Sequence, residues 1–108
     1  MILKQDFRSQ VLTQLQQKRS YPAKECHLDF YFFLPTEALA HNFGERLMKG
    51  CPVDIIADIR PSPTGSDWLC QATTPLILDT EPLDELRSHI NRLVHEFHAD
   101  FDGWEVTQ

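Results

Sequence analysis

The sequence predicts an α+β fold on three observations. Residues 27–34 and 53–60 alternate apolar and polar side chains with the period of two that is typical of strands. Residues 36–49 and 81–98 repeat apolar side chains at helical spacing. Segments with Pro and Gly separate these stretches, and two more short strand patterns complete the order strand, helix, strand, strand, helix, strand. This is the ferredoxin-like αβ sandwich, βαββαβ with a four-stranded antiparallel sheet, here preceded by an extra N-terminal helix.

Length and charge limit the functional classes. The chain has 108 residues, which is enough for one modest core, and we predict a single domain over 1–108 with the N-terminal helix at 4–19 and the core at 26–106. The formal net charge of −6 argues against nucleic acid or an anionic membrane as the main partner and favours a basic protein segment. Because the chain has no apolar run of signal-peptide or membrane-spanning length, we expect it to be cytoplasmic.

The cysteines argue against a disulfide framework and against a zinc knuckle. Cys26, Cys51 and Cys70 are odd in number and widely spaced, and none is part of a Cys-x-x-Cys motif. We expect reduced thiols that pack as small apolar groups.

The N-terminal helix has a thin apolar stripe. Asp6 can act as its N-cap, and Ser20-Tyr21-Pro22 ends it. Its apolar residues at near-helical spacing are Phe7, Val11, Leu12 and Leu15. A stripe this narrow predicts a helix that docks on the domain or on a partner.

The first strand and the helix after it have clear apolar faces. One face of the strand is wholly apolar and should meet the helices: Leu28, Phe30, Phe32 and Leu34. The other face carries His27, Asp29, Tyr31 and Phe33. Thr36 is the predicted N-cap of the helix, which runs to about Lys49, with Gly50 at the C′ position. Its predicted buried stripe is Leu39, Ala40, Phe43 and Leu47.

The second and third strands should form a hairpin. Val53–Arg60 is the second strand, and the loop at residues 61–66 is rich in Pro and Gly. The third strand runs from Asp67 to about Thr74, where Pro75 indicates an edge position, a bulge or the end of pairing.

The last helix and strand close the fold. Thr80 is the predicted capping residue of the helix. Its predicted buried stripe is Leu83, Leu86, Ile90, Leu93 and Phe97. The strand at residues 101–106 reads Phe-Asp-Gly-Trp-Glu-Val, and Gly103 inside it indicates a bulge or a close backbone approach. We expect Trp104 to be a core anchor, the alternative being a place on a recognition surface.

The sheet face away from the helices is the candidate binding surface. Its predicted residues are the aromatic Tyr31, Phe33 and Trp68 and the acidic Asp29, Asp54 and Asp58. RNA-recognition modules stack bases on aromatic residues of this arrangement, but here phosphates would meet carboxylates, and no Lys/Arg-Gly-Phe-type motif is present. We therefore expect the face to meet protein: the N-terminal helix, a second copy or a partner.

No set of residues indicates catalysis or a resident metal. The sequence has no Gly-rich phosphate loop, nucleophile elbow or useful carboxylate pair. Cys26 and His27 are adjacent in an extended segment and point to opposite faces. His95 and His98 are three residues apart rather than four and lie away from the apolar stripe, so we expect them to face solvent. The prediction is a non-enzymatic protein with no cofactor.

The Asp102-Gly103-Trp104 motif after an amphipathic helix resembles the Tyr/Phe-Asp-Gly-Trp close of the RraB family, regulators of ribonuclease E activity. The strand at 27–34 with its following helix, the Trp68 strand and the run from Pro75 to Leu93 are similar to that family's order. The resemblance covers about residues 26–106. It implies a ferredoxin-like sandwich without catalytic residues that acts by binding ribonuclease E or another RNA-processing enzyme.

The leading hypothesis is thus a protein-binding regulator of the RraB-like class that modulates RNA turnover. A small-ligand or metal-binding domain that uses the aromatic face or His95 and His98 remains an alternative. A structural homodimer that pairs through its sheets is another.

Overall fold

A computed structural model describes residues 2–17 and 25–108 of the chain. The elements in chain order are α1 (Phe7–Gln17), β1 (His27–Leu34), α2 (Glu37–Met48), β2 (Ile56–Pro61), β3 (Trp68–Pro75), α3 (Thr80–Phe97) and β4 (Asp100–Thr107). The predicted last residues of the N-terminal helix, 18–19, and its predicted end at Ser20-Tyr21-Pro22 lie outside the described residues.

The four strands form one antiparallel sheet in the order β2-β3-β1-β4. This confirms the predicted α+β fold with an N-terminal helix and with the first and third strands in the centre. The apolar face of β1 is buried in one core together with the stripes of α2 and α3. At its centre the Phe32 ring lies 4.8 Å from the Phe43 ring of α2 and 4.9 Å from the Phe101 ring of β4. We call this side of the sheet the helix face.

Helix α1 also packs on the helix face, beside α3 and over β4. The Phe7 ring lies 6.1 Å from the Phe30 ring and meets the Trp104 ring edge-on at 4.9 Å. The Asn91 side chain of α3 binds both backbone groups of Leu3, at 2.8 and 2.7 Å. The alternative that the N-terminal helix covers the opposite face of the sheet is therefore wrong, because its one bulky apolar anchor belongs to the main core.

Helix α2 is capped as predicted, but its buried stripe differs by one residue. The Thr36 hydroxyl accepts a hydrogen bond from the Leu39 backbone N–H at 3.2 Å. Leu39 itself is 37% exposed, and Gly44 is buried instead. A Cβ on Gly44 would lie 3.2 Å from Ile59 Cδ1, so the glycine lets α2 approach β2 closely. The helix is therefore rotated toward β2, which turns Leu39 outward.

Helix α3 and strand β2 show smaller differences. The N-cap of α3 is Asp79, one residue before the predicted Thr80, and its side chain makes no capping hydrogen bond. Phe97 is only half-buried, whereas Val94 and His89 are buried. Strand β2 begins at Ile56 rather than Val53, because pairing with β3 starts there. The type of each element was thus predicted better than its first and last residues. Backbone hydrogen bonds determine where an element ends, and the apolar pattern of the sequence does not show them.

Candidate partner-binding face

The sheet surface away from α1, α2 and α3 is the candidate site, and we call it the open face. Paired residues of an antiparallel sheet project to the same side, so the strand register assigns its members. They are His27, Asp29, Tyr31, Phe33, Ile56, Asp58, Arg60, Leu69, Gln71, Thr73, Pro75, Asp100, Gly103, Glu105 and Thr107. The open face brings together five of the nine residues singled out in the sequence, namely Asp29, Tyr31, Phe33, Asp58 and Gly103.

Asp29 is a buried member of this face, contrary to the expectation that it forms part of an exposed acidic rim. It is only 6% exposed. The Thr73 hydroxyl of β3 donates to its Oδ1 at 2.5 Å, and the Thr107 hydroxyl of β4 donates to its Oδ2 at 2.6 Å. Charge-assisted hydrogen bonds of this kind are stronger than neutral ones. Asp29 therefore ties three strands together, because one hydroxyl reaches it from each neighbour.

Tyr31 and Glu105 form the second polar contact of the face. The Tyr31 hydroxyl donates to Glu105 Oε1 at 2.7 Å. Burial and this hydrogen bond to a carboxylate raise the pKa of the Tyr31 phenol well above its ordinary value, so it remains a donor in neutral solution. Glu105 is exposed, and its backbone pairs with Asp29 across β1 and β4. Two carboxylates therefore stand opposite each other in a cross-strand pair.

Arg60 is the one Lys or Arg among the open-face residues. Its guanidinium donates to Asp58 Oδ2 at 2.6 Å and also to the Gln71 side chain. Asp58 and Arg60 remain 65% and 47% exposed in their side chains, so their pairing contributes little stability. The face also carries Asp100 and Glu105, both exposed. Carboxylates therefore outnumber guanidinium groups, and the surface is acidic.

Two predicted residues do not lie where expected. Trp68 pairs with Leu34 and Pro61, which puts its ring on the helix face, where it packs half-buried against the core. The prediction that Trp68 joins the open face is wrong, because β3 begins at residue 68 in a register that gives the open face to Leu69. Asp54 precedes β2, is exposed, and offers its backbone carbonyl to the buried Thr74 hydroxyl at 2.5 Å.

The Asp102-Gly103-Trp104 motif forms a β-bulge. Tyr31 pairs with Gly103 and the next residue, Phe32, pairs with Phe101, so Asp102 is the extra residue of β4. Gly103 has φ +133°, a conformation that residues with a Cβ rarely adopt, which explains the glycine. The bulge brings Trp104 opposite Phe30 on the helix face, half-buried against Phe7, as expected for a packing role.

The bulge also leaves a shallow depression of about 350 Å³. It is lined by Tyr31, Asp102, Gly103, Trp104 and Glu105. Asp102 is exposed at its rim. The sequence motif thus has two physical consequences, because it shapes the strand edge and places two carboxylates beside a tyrosine.

The histidines at the end of α3 and the thiol of Cys70 lie away from the open face. The rings of His95 and His98 are 6.4 Å apart and both residues are exposed, as predicted. Within residues 2–17 and 25–108, no group of three or more His, Cys, Asp or Glu residues could hold a metal ion. Burial raises the pKa of the Cys70 thiol to about 12, with a smaller contribution from Asp58, so this thiol is unreactive at neutral pH.

None of the described helices is both long enough and apolar enough to cross a membrane.

His89 is a buried polar residue that the sequence pattern did not single out. Its Nε2 lies 2.9 Å from the Leu47 carbonyl of α2, and its Nδ1 lies 3.0 Å from Arg92 Nη2. A guanidinium can only donate, so Nδ1 accepts and Nε2–H donates to Leu47. This neutral imidazole joins α2 to α3, and its place within the apolar period of α3 was the only available signal.

Comparison with known proteins identifies a family for this sequence. The sequence matches the profile of a family described as "RraB: Regulator of ribonuclease activity B" over residues 5–106. A search of curated proteins found no match. The family match includes α1, the Asp-Gly-Trp bulge and the sheet except Thr107, the last residue of β4. The chain therefore belongs to the RraB family.

Proposed function

We propose that this chain is a non-enzymatic regulator that binds a ribonuclease, ribonuclease E or a related RNA-processing enzyme, through the open face of its sheet. The family description names regulation of ribonuclease activity, and the resemblance of the Asp102-Gly103-Trp104 close points to ribonuclease E in the cytoplasm. The observation that carries the assignment to this face is that α1, α2 and α3 all pack on the other side of the sheet.

The chemistry of the open face favours a basic protein segment as the bound element. Asp58 and Arg60 neutralise each other as an ion pair, which leaves the exposed carboxylates of Asp100 and Glu105 as the charged groups of the face. Such a surface attracts Lys- and Arg-rich protein segments and repels RNA phosphates. The protein would therefore bind the enzyme itself and would not bind the RNA substrate. Regulation then follows from occupying a basic part of the enzyme.

The face is also suited to binding because it is preorganised. Asp29 is fixed between Thr73 and Thr107, and Tyr31 is fixed by Glu105. Side chains that are already held lose little conformational entropy when a partner arrives. The depression beside Gly103 adds a concave place for a side chain of the partner.

Direct binding to purified ribonuclease E tests the proposal. The informative variant is Asp100→Lys combined with Glu105→Lys, two exposed carboxylates of β4, and the matched control is Glu85→Lys, an exposed carboxylate on α3. We expect at least a tenfold weaker affinity for the double variant and an unchanged affinity for the control, because only the former alters the open face.

The measurement is isothermal titration calorimetry with and without ribonuclease A treatment of the enzyme preparation. Circular dichroism would verify that each variant is folded. Equal affinities of the double variant and the control would remove the open face from the proposal. Failure of the unmodified chain to bind or inhibit any ribonuclease recovered from a nuclease-treated lysate would remove the function itself.

A further inference from the structure

We infer that the outer edge of β2 is an interface for a second copy of this chain, joining two four-stranded sheets into one continuous antiparallel sheet. The sheet order places β2 and β4 at the two edges. The β4 edge is covered, because α1 packs along it and the Gln14 side chain accepts a hydrogen bond from the Val106 backbone N–H at 2.9 Å. No described strand pairs with the outer edge of β2, where unpaired backbone groups can accept another strand.

The register of β2 shows which of its backbone groups point outward. The Ser62 N–H donates to the Asp67 carbonyl on the β3 side, and the β2–β3 register is continuous from Ile56 to Pro61. Backbone groups alternate along an antiparallel strand, so the groups of Ala57, Ile59 and Pro61 point away from β3. Pro61 agrees with this, because a proline in a strand places its missing N–H toward the outside.

A large apolar side chain is exposed on this edge strand. Among residues 2–17 and 25–108, the large hydrophobic side chains exposed to solvent are Ile2, Leu39, Met48 and Ile56. Ile56 belongs to β2, projects from the open face and is 72% exposed. An exposed isoleucine on a strand with an unpaired edge is consistent with a partner there.

The charges of β2 favour a second copy of the same strand as the partner and favour one register of pairing between the two copies. Within one chain Arg60 already pairs with Asp58 at 2.6 Å. In an antiparallel pair with a twofold axis at Ile59, Asp58 of each chain also stands opposite Arg60 of the other, so the two ion pairs join into one network of alternating charge. The two copies of Ile59 then exchange backbone hydrogen bonds, and each Ala57 N–H meets a Pro61 carbonyl. An axis at Asp58 or at Arg60 would instead place like charges opposite each other, which is destabilising. The strand is thus complementary to itself only when centred on Ile59.

Light scattering coupled to size exclusion tests the interface with the full chain. We expect a mass of about 25 kDa, twice the 12.5 kDa of one chain, at micromolar concentration. Asp58→Arg leaves positive charges at both positions 58 and 60, and Arg60→Asp leaves negative charges at both. Each single variant should therefore run at the mass of one chain.

Mixing the two single variants gives the decisive result. Every cross-strand pair between the Asp58→Arg chain and the Arg60→Asp chain is again opposite in charge, so the mixture should return to about 25 kDa, as should the double exchange Asp58→Arg/Arg60→Asp. Both side chains are exposed, and circular dichroism verifies that the variants fold. A single-chain mass for the unmodified protein, dimeric single variants, or a mixture that stays at the mass of one chain would each overturn the interface.

Discussion

The two faces of β1 are held in place by different kinds of interaction, although both are formed by the same eight residues. On the helix face, Phe30 and Phe32 are fully buried among other rings. On the open face, Asp29 and Tyr31 are held by hydrogen bonds to Thr73, Thr107 and Glu105. Non-directional burial supplies most of the folding free energy on one side, whereas directional contacts fix side-chain positions on the other.

The difference separates stability from recognition. Substitutions on the helix face should change the free energy of unfolding, because atoms lost there leave cavities in a close-packed core. Substitutions of exposed residues on the open face should change binding with little effect on stability. The predictions below test this division, beginning with the largest expected effect.

Phe32→Ala should destabilise the fold most. The ring packs against Phe43 and Phe101 and is 0% exposed. We expect a loss of about 3–5 kcal/mol in the free energy of unfolding. Urea denaturation measures this, with Ile2→Ala as the exposed control that should change stability by less than about 0.5 kcal/mol. Comparable losses in the two variants would contradict the division between core and surface.

Trp104→Ala tests the boundary between the faces. The indole is half-buried and packs edge-on against Phe7. We expect a loss of about 2–3 kcal/mol, below the value for a fully buried ring because part of the surface already meets water. Thermal and urea melts measure it. A variant with unchanged stability would transfer Trp104 from the core to the binding surface.

Gly103→Ala tests whether backbone conformation alone matters at the bulge. A Cβ there meets no atom within 4 Å, so steric collision with neighbours is absent, but φ +133° is strained for any residue with a side chain. We expect a loss of about 1–3 kcal/mol. Gly65→Ala, in an open loop position without positive φ, is the matched control and should be nearly neutral. Equal stability of both variants would show that the bulge relaxes without cost.

Alkaline pH should destabilise the fold through the helix face. The folded-state pKa of Cys70 is raised to about 12 from an ordinary value of 9.0, so the unfolded chain releases its proton first as the pH rises. The stability is therefore complete below pH 9 and is lost progressively toward pH 12. We expect a loss of about 1 kcal/mol near pH 10 from this group. Urea melts of the parent and of Cys70→Ala measure it, and an identical pH dependence in both would exclude the thiol as the cause.

The sequence alone determined the element types and the partition of β1. Its alternation assigned Leu28, Phe30, Phe32 and Leu34 to the core, and the glycine in the last strand indicated the bulge at Gly103. The family resemblance, based on Asp102-Gly103-Trp104, agreed with the family match. These features are local, since a period of two, a capping residue or a glycine in a strand expresses itself within a few residues.

Only the tertiary structure decided which residues meet across strands and what covers each face. The local sequence is compatible with Trp68 on either face of β3. The pairing of β3 with β1 sets the register, which places Leu69 on the open face and Trp68 on the helix face. From the sequence, Asp29 is expected to be a surface carboxylate. In the fold it is bound by Thr73 and Thr107, which are separated from it by 44 and 78 positions along the chain. The side on which α1 docks follows from the Phe7 contact with Phe30. Contacts distant in sequence decide these features, because a local pattern states that a face is apolar but does not name its neighbour.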